Sequence, residues 1–322
     1  MADVRAALAD EGAGVEVIAV ESLCDGPGAV DEARLGRAAE RLRRGGERPS
    51  GGQRRGGTEP PSGEEPRDGT EPPCGEERRD GTEPPSREPV DRVIVAGGDG
   101  SVGAAAALAA RLGVPLAVIP TGTANDLARF LGLPLDVAGA AKLAARRSAR
   151  TTSVELATAA GRRPFVNAAS AGLSVLAARR ARPLKPRLGR LAYAVGALRA
   201  GIAGRPLHLA VRCDGRTAFQ GRAWQVVVGA TGAFGGGSGT GGVDPHDHRL
   251  DVAIVEAGSR PALIRRAWAM RNQRLVDDPG VRHVRGRAVE IEGARKFNVD
   301  GELVTVEPAR FEVAGSIEVV VP

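Results

Sequence analysis

The chain has 322 residues, 42% of them hydrophobic and 26% charged, with 45 Lys+Arg against 39 Asp+Glu. That apolar share supplies a real core and the length allows about two domains, which excludes a wholly disordered chain. Three scattered cysteines exclude a disulfide framework and a cysteine zinc site. No apolar run reaches the roughly 18 residues of a membrane span.

Residues 15–20 (VEVIAV) alternate apolar positions and read as a strand, and 31–44 place apolar residues at helical spacing with basic residues at the end. Residues 45–89 break this texture. They hold 10 Gly and 9 Pro, and their one member of the hydrophobic class is Cys74. A 12-residue motif restarts at Gly57, Gly69 and Gly81, but no copy has an apolar face to stack. The segment is therefore expected to be a disordered insertion. It carries 7 basic and 11 acidic residues, so the rest of the chain is the basic part, with 38 against 28. Such a surface favours phosphates, an anionic membrane or nucleic acid. One Tyr and two Trp offer no stacking platform, which argues against nucleic acid.

After the insertion, 91–96 read as a short buried strand, 102–112 as an Ala-rich helix closed by Gly113, and 115–119 as a second buried strand. A turn, 120–126, leads into a helix over about 126–131. Strand, turn and helix repeated at this spacing predict a parallel α/β sheet. One more helix is expected at 137–145. From 151 onward, short β runs predominate: 153–156, 164–168, 207–213, 223–228, 250–255, 287–291, 297–299, 309–313 and 317–321. They predict a β-sandwich, interrupted by helices over 187–202 and 261–272. The expected fold is thus a parallel-sheet α/β domain over 1–133, interrupted by the insertion 45–89, followed by a β-sandwich domain over 134–322.

The turns hold the chemistry. In Gly97-Gly98-Asp99-Gly100-Ser101, glycines at a strand end allow close approach of a ligand, and the following helix N-terminus favours an anion. Asp99 alone would repel phosphate there. It makes sense if it holds Mg²⁺ against a phosphate or accepts a proton from a nucleophile. The plainer reading is a simple turn. Thr121, Gly122, Thr123 and Asn125 follow the next strand and add short polar donors at the same edge of a parallel sheet. Asn125 or Asp126 could equally serve only to cap the helix.

Taken together, GGDGS and PTGTANDLAR about 20 residues later resemble the diacylglycerol kinase catalytic-domain family, which includes bacterial diacylglycerol kinases and sphingosine kinases. FVNAASAGL (165–173), RLGRLAYAVGALR (187–199) and NVDGE (298–302) resemble further segments of that family. The resemblance covers about 15–322 apart from the insertion. It implies an α/β domain and a β-sandwich with the active site between them, and transfer of the γ-phosphoryl group of ATP to a lipid hydroxyl. It implies that Gly97, Gly98, Asp99, Gly100 and Ser101 cradle the ATP phosphates, and that Thr121, Gly122, Thr123 and Asn125 line the nucleotide cleft. Asp300 would act as base with Glu302 in support, and Asp99 would hold Mg²⁺ or compete as base. The bare Asp300-Gly301 pair also reads as a type I′ hairpin turn.

Asp247, followed by Leu250-Asp251-Val252, resembles the family's DGxLDV stretch, which in some members helps hold a structural Mg²⁺. Here His248 replaces the Gly, and His246-Asp247-His248 reads as an exposed loop. The family's usual opening strand with an NPxSG-like turn is not found, so either the start lies downstream of the true one or that strand is lacking. The basic stretch 179–187 reads as a solvated loop, with contact to anionic lipid head groups as the other reading. A soluble-substrate kinase of the NAD kinase type and a non-catalytic nucleotide- or lipid-binding homologue remain as alternatives. With no secretory leader in view, the expected setting is the cytoplasm, at the inner face of the membrane where lipid is the acceptor.

Overall fold

The computed structural model describes residue 8 and residues 31–43, 90–184, 191–234, 238–241 and 247–322. The expected strand at 15–20, the insertion 45–89, the loop residue His246 and residues 185–187 of the basic stretch lie outside the described residues.

Helix α1 (Glu32–Arg43) precedes strand β1 (Val93–Gly97), helix α2 (Asp99–Leu112), strand β2 (Leu116–Pro120) and helix α3 (Asp126–Phe130). β1 and β2 pair in parallel, Val93 opposite Leu116 through Gly97 opposite Pro120. Both turns therefore leave the same edge of the sheet. α2 is buried on two sides, which explains its alanines. Val102, Ala105, Ala106 and Ala109 face the sheet, while Ala104 and Leu108 receive Leu35 and Ala39 of α1. Gly113, in the left-handed region at φ 71°, closes it. Every residue of β2 is buried. Leu116 and Val118 point to α2, and Ala117 and Ile119 point to α4 (Val137–Ala145), which covers the other face with Ala140, Ala141 and Ala144.

The second part is a β-sandwich with helices on its outside. Its strands are β3 (Arg150–Ala159), β4 (Arg163–Phe165), β5 (Ala168–Gly172), β6 (Leu207–Cys213), β7 (Arg216–Gly229), the short pair β8 (Ala233–Phe234) and β9 (Ser238–Gly239), β10 (Leu250–Glu256), β11 (Val281–Gly286), β12 (Ala288–Glu292), β13 (Lys296–Val299), β14 (Glu302–Thr305) and β15 (Arg310–Val321). Its helices are α5 (Leu173–Ala181), α6 (Leu191–Ala203) and α7 (Arg260–Arg271). The interior holds Phe165, Phe297 and Phe311, stacked edge to face. β7 and β10 bury both faces. Val226, Val228, Val252 and Ile254 point inward, while Val227, Ala253 and Val255 meet Leu173, Leu263 and Met270 beneath α5 and α7.

Among the described residues, thirteen strands form one continuous sheet, and β15 joins its two parts. It pairs with β12 near its start and with β3 along its length. After a bulge at Val313/Gly315, Val319 lies parallel to Leu116 of β2. Gly315 adopts φ 144°, where a side chain would be strained. The sequence reads this strand as two, 309–313 and 317–321; the bulge accounts for the interruption in its apolar pattern. The expected strand 164–168 is in fact two strands, broken at Val166-Asn167.

Candidate active site

Three turns converge. The first opens α2 at Gly98, and its buried first-turn residue is Asp99. Asp99 Oδ1 accepts the backbone N–H groups of Asp126 at 2.7 Å and Leu127 at 3.4 Å, the leading donors of α3, and Asn167 Nδ2 at 3.2 Å. A first-turn carboxylate of one helix thus satisfies the orphan donors of the next. Burial pushes the Asp99 carboxyl above its ordinary range, against the pull of those backbone donors.

The second turn lies directly on the first. Thr121 N–H donates to the Gly97 carbonyl at 3.0 Å. A Cβ on Gly122 would stand 2.5 Å from Gly98 Cα and 2.8 Å from Asn125 Oδ1. The glycines are thus required by turn-on-turn contact, a use that the single-turn reading of the sequence misses. A Cβ on Gly97 would meet Ser101 Cβ at 2.7 Å. Asn125 takes the left-handed conformation (φ 53°, ψ 51°) and donates Nδ2 to the Gly122 carbonyl at 3.0 Å, and its buried Oδ1 has no protein partner. Thr121 and Thr123 are exposed at the mouth of the turn.

The third turn is the β13–β14 hairpin, whose two linking residues, Asp300 and Gly301, both have positive φ (44° and 86°). The type I′ turn and the site are one feature: the hairpin aims Asp300 inward. Its Oδ2 accepts Val166 N–H at 3.0 Å, and its Oδ1 accepts Asn167 N–H at 3.1 Å and Ala168 N–H at 3.0 Å. These donors come from the break between β4 and β5, where the chain leaves the sheet ladder. Asp300 is 6% exposed, and its carboxyl is pushed up to about 7, by desolvation first and by the charge of Asp99, against the three N–H donors. Asn167 links the carboxylates, with its side chain on Asp99 and its backbone on Asp300. Glu302 emerges from the same hairpin, pairs with Arg163 at 2.9 Å and lies over Gly100, where any Cβ would strike its carboxylate.

Asp247 stands apart from this convergence. Its carboxylate pairs with Arg285 at 2.7 Å, and Arg285 also reaches Asp251 at 3.1 Å, which His283 contacts at 2.6 Å. The Arg285 guanidinium thus holds one oxygen each of Asp247 and Asp251, while Asp251 Oδ2 and Glu155 Oε2 are buried without a protein partner. Among the described residues no group of three or more His, Cys, Asp and Glu side chains could hold a metal ion. Beside these three turns the sequence reading passes over Asn167 and Arg163. It also passes over Asn298, whose buried Oδ1 has no protein partner two residues before Asp300. The signal for Asn167 was an amide inside FVNAASAGL, flanked on both sides by apolar residues.

Two family models match the chain: the diacylglycerol kinase catalytic domain over residues 77–157, and the YegS C-terminal NAD kinase beta sandwich-like domain over 167–321. A diacylglycerol kinase of Bacillus subtilis (strain 168) is 30% identical over 240 residues, covering 72% of this chain and 78% of that protein. One from Mycobacterium tuberculosis (strain ATCC 25618 / H37Rv) is 29% identical over 241 residues, covering 72% and 77%. The crystal structure of a diacylglycerol kinase from Bacillus anthracis str. Sterne superposes with a TM-score of 0.57 at 25% identity, covering 72% of this chain and 78% of that one.

Proposed function

Because the chain belongs to the diacylglycerol kinase family and is a kinase, we propose that it transfers the γ-phosphoryl group of ATP to the hydroxyl of a lipid at a membrane surface, with diacylglycerol as the leading acceptor. Residues 1–133 would bind ATP and residues 134–322 would bring the base. The observation that carries this reading is the meeting of Asp99 and Asp300 across Asn167, beside two glycine turns at one sheet edge.

Gly97, Gly98, Gly100 and Ser101 would hold the triphosphate on the N-terminus of α2, whose first N–H groups lack intrahelical partners. Thr121, Gly122, Thr123 and Asn125 would line the neighbouring wall. Two buried carboxylates, one raising the pKa of the other, suit a divalent cation shared with phosphate oxygens, so the donor set fits Mg²⁺ with Asp99 as its protein ligand. When bound, Mg²⁺ would neutralise charge on the triphosphate.

Asp300 is the base. A carboxylate oxygen has two lone pairs, and Oδ2 accepts one N–H, which leaves it a site for the acceptor proton. A carboxyl poised at about 7 suits that task near neutral pH. The acceptor O–H gives its proton to Oδ2, the acceptor oxygen forms a bond to the γ-phosphorus, the bond from that phosphorus to the β–γ bridging oxygen breaks, and ADP leaves. The three backbone donors fix the carboxylate through each turnover, and Glu302, tied to Arg163, flanks it.

The test is incubation of the protein with γ-labelled ATP, Mg²⁺ and, separately, diacylglycerol, a sphingoid base, a polyprenol and NAD. Label in a lipid is expected. Label in NAD instead would overturn the proposal.

A further inference from the structure

The geometry points to a docking surface for an anionic lipid bilayer on α6 and α7, a partner whose choice rests on the lipid-kinase reading. The four most exposed large hydrophobic side chains among the described residues all lie on these two helices: Ile264 (76% exposed), Leu198 and Ile202 (66% each) and Trp268 (64%). Leu198 and Ile202 are one turn apart on α6, and Ile264 and Trp268 are one turn apart on α7, so each helix presents an outward pair. Packing does not account for them. α7 already packs its opposite face, Leu263 and Met270, against the sandwich.

The helices are tied together. Arg260, at the start of α7, donates to the carbonyls of Gly201 (2.7 Å), Ile202 and Gly204 (3.2 Å) at the end of α6, and its guanidinium lies 5.6 Å from the centre of the Trp224 ring. The two apolar pairs are thus carried by one rigid junction.

Charge selects the partner. Neither Leu191–Ala203 nor Arg260–Arg271 contains an acidic residue. Arg199 on α6 and Arg271 on α7 are exposed beside the apolar pairs. Directly after α6, a cavity of about 440 Å³ has Leu173, Leu176 and Leu207 in its wall and Arg179, Arg205 and Lys296 among its lining residues. Lys296 begins β13, the strand that leads into the Asp300 turn. Exposed apolar side chains on helices that carry arginines and no acids of their own, with Asp278 turned to Arg265 and Arg266, match an interface of acyl chains and anionic head groups. A soluble partner protein would have to offer acids to these arginines.

Trp268 makes the test direct, because the chain has two Trp and the other, Trp224, is buried. The intact protein is mixed with vesicles of phosphatidylcholine, with or without 30 mol% phosphatidylglycerol (about one lipid in three). Expected are a blue shift of Trp emission and co-sedimentation with the anionic vesicles, weakened by salt. The Ile264→Asp/Trp268→Asp variant should lose at least tenfold in vesicle partitioning. The Arg199→Gln/Arg271→Gln variant should bind more weakly and with a shallower salt dependence. Equal partitioning of all three proteins, or an unshifted Trp268 on bound vesicles, overturns the surface. So does a dimer that Trp268→Asp splits and that never binds vesicles. A water-soluble short-chain diacylglycerol separates the two readings. Transfer to it should be unchanged in Ile264→Asp/Trp268→Asp, whereas no transfer by any form, with vesicle binding intact, would count against the kinase reading alone.

Discussion

Replacing Glu155 by Gln should stabilise the protein at alkaline pH and not at acid pH. Glu155, on β3, is fully buried; its Oε1 accepts Arg249 N–H at 3.1 Å and its Oε2 has no protein partner. Its carboxyl is pushed from 4.5 to about 7, by desolvation first and by the charge of Asp247 second. A raised acid binds its proton more tightly in the folded than in the unfolded state. Its contribution is therefore fully present below 4.5 and is lost as pH rises through about 7. Integrating that linkage, the penalty is about 1 kcal/mol at pH 5 and about 3 kcal/mol at pH 8. Gln keeps the shape and the acceptor for Arg249 N–H and cannot ionise. Urea denaturation of both proteins at the two pH values is the assay. The stability difference should swing by up to about 2 kcal/mol in favour of Glu155→Gln between pH 5 and pH 8. Parallel behaviour at both pH values would refute the reasoning and would mean that Arg285, already shared by Asp247 and Asp251, compensates the third carboxylate as well.

Gly122→Ala forces the two turns apart, and should destabilise by about 1–3 kcal/mol and weaken ATP binding, read by urea denaturation and by calorimetry. Asn167→Ala removes the link between the carboxylates; stability should fall by about 1 kcal/mol while transfer falls at least about tenfold, because Asp99 loses its side-chain tether. Transfer by the wild type should rise about tenfold from pH 6 to pH 8 as Asp300 gives up its proton through about 7, and a flat profile would remove Asp300 as the base.

Much of the α/β part was legible because its signals are local. Helix 137–145 needs only its own apolar spacing, and Asp136 caps it by accepting Gly139 N–H at 2.7 Å. The Ala-rich helix extends back to Asp99 because the GGDGS turn is itself its first turn. In the sandwich, β11 (VRHVRG) was missed because three of its six residues are basic, and β14 because its four residues follow the hairpin turn too closely to show a pattern. The site was half legible. The turns are contiguous motifs. The partners of Asp300 lie more than 130 residues upstream, at a strand break whose N–H groups the hairpin carboxylate takes. A pairing of that separation leaves no periodic trace in one sequence. Gly122 likewise reads as a ligand glycine until the first turn is seen lying against it.

Asp300 and the two glycine turns are proposed to form one phosphoryl-transfer site. Single-turnover transfer from γ-labelled ATP, with ATP binding measured on the same samples, tests it in Asp300→Asn beside Asp247→Asn. Asp300→Asn should bind ATP normally and lose at least about a hundredfold in transfer, and Asp247→Asn should transfer like the wild type. Transfer undiminished in Asp300→Asn, or abolished in Asp247→Asn with the fold intact, would contradict it.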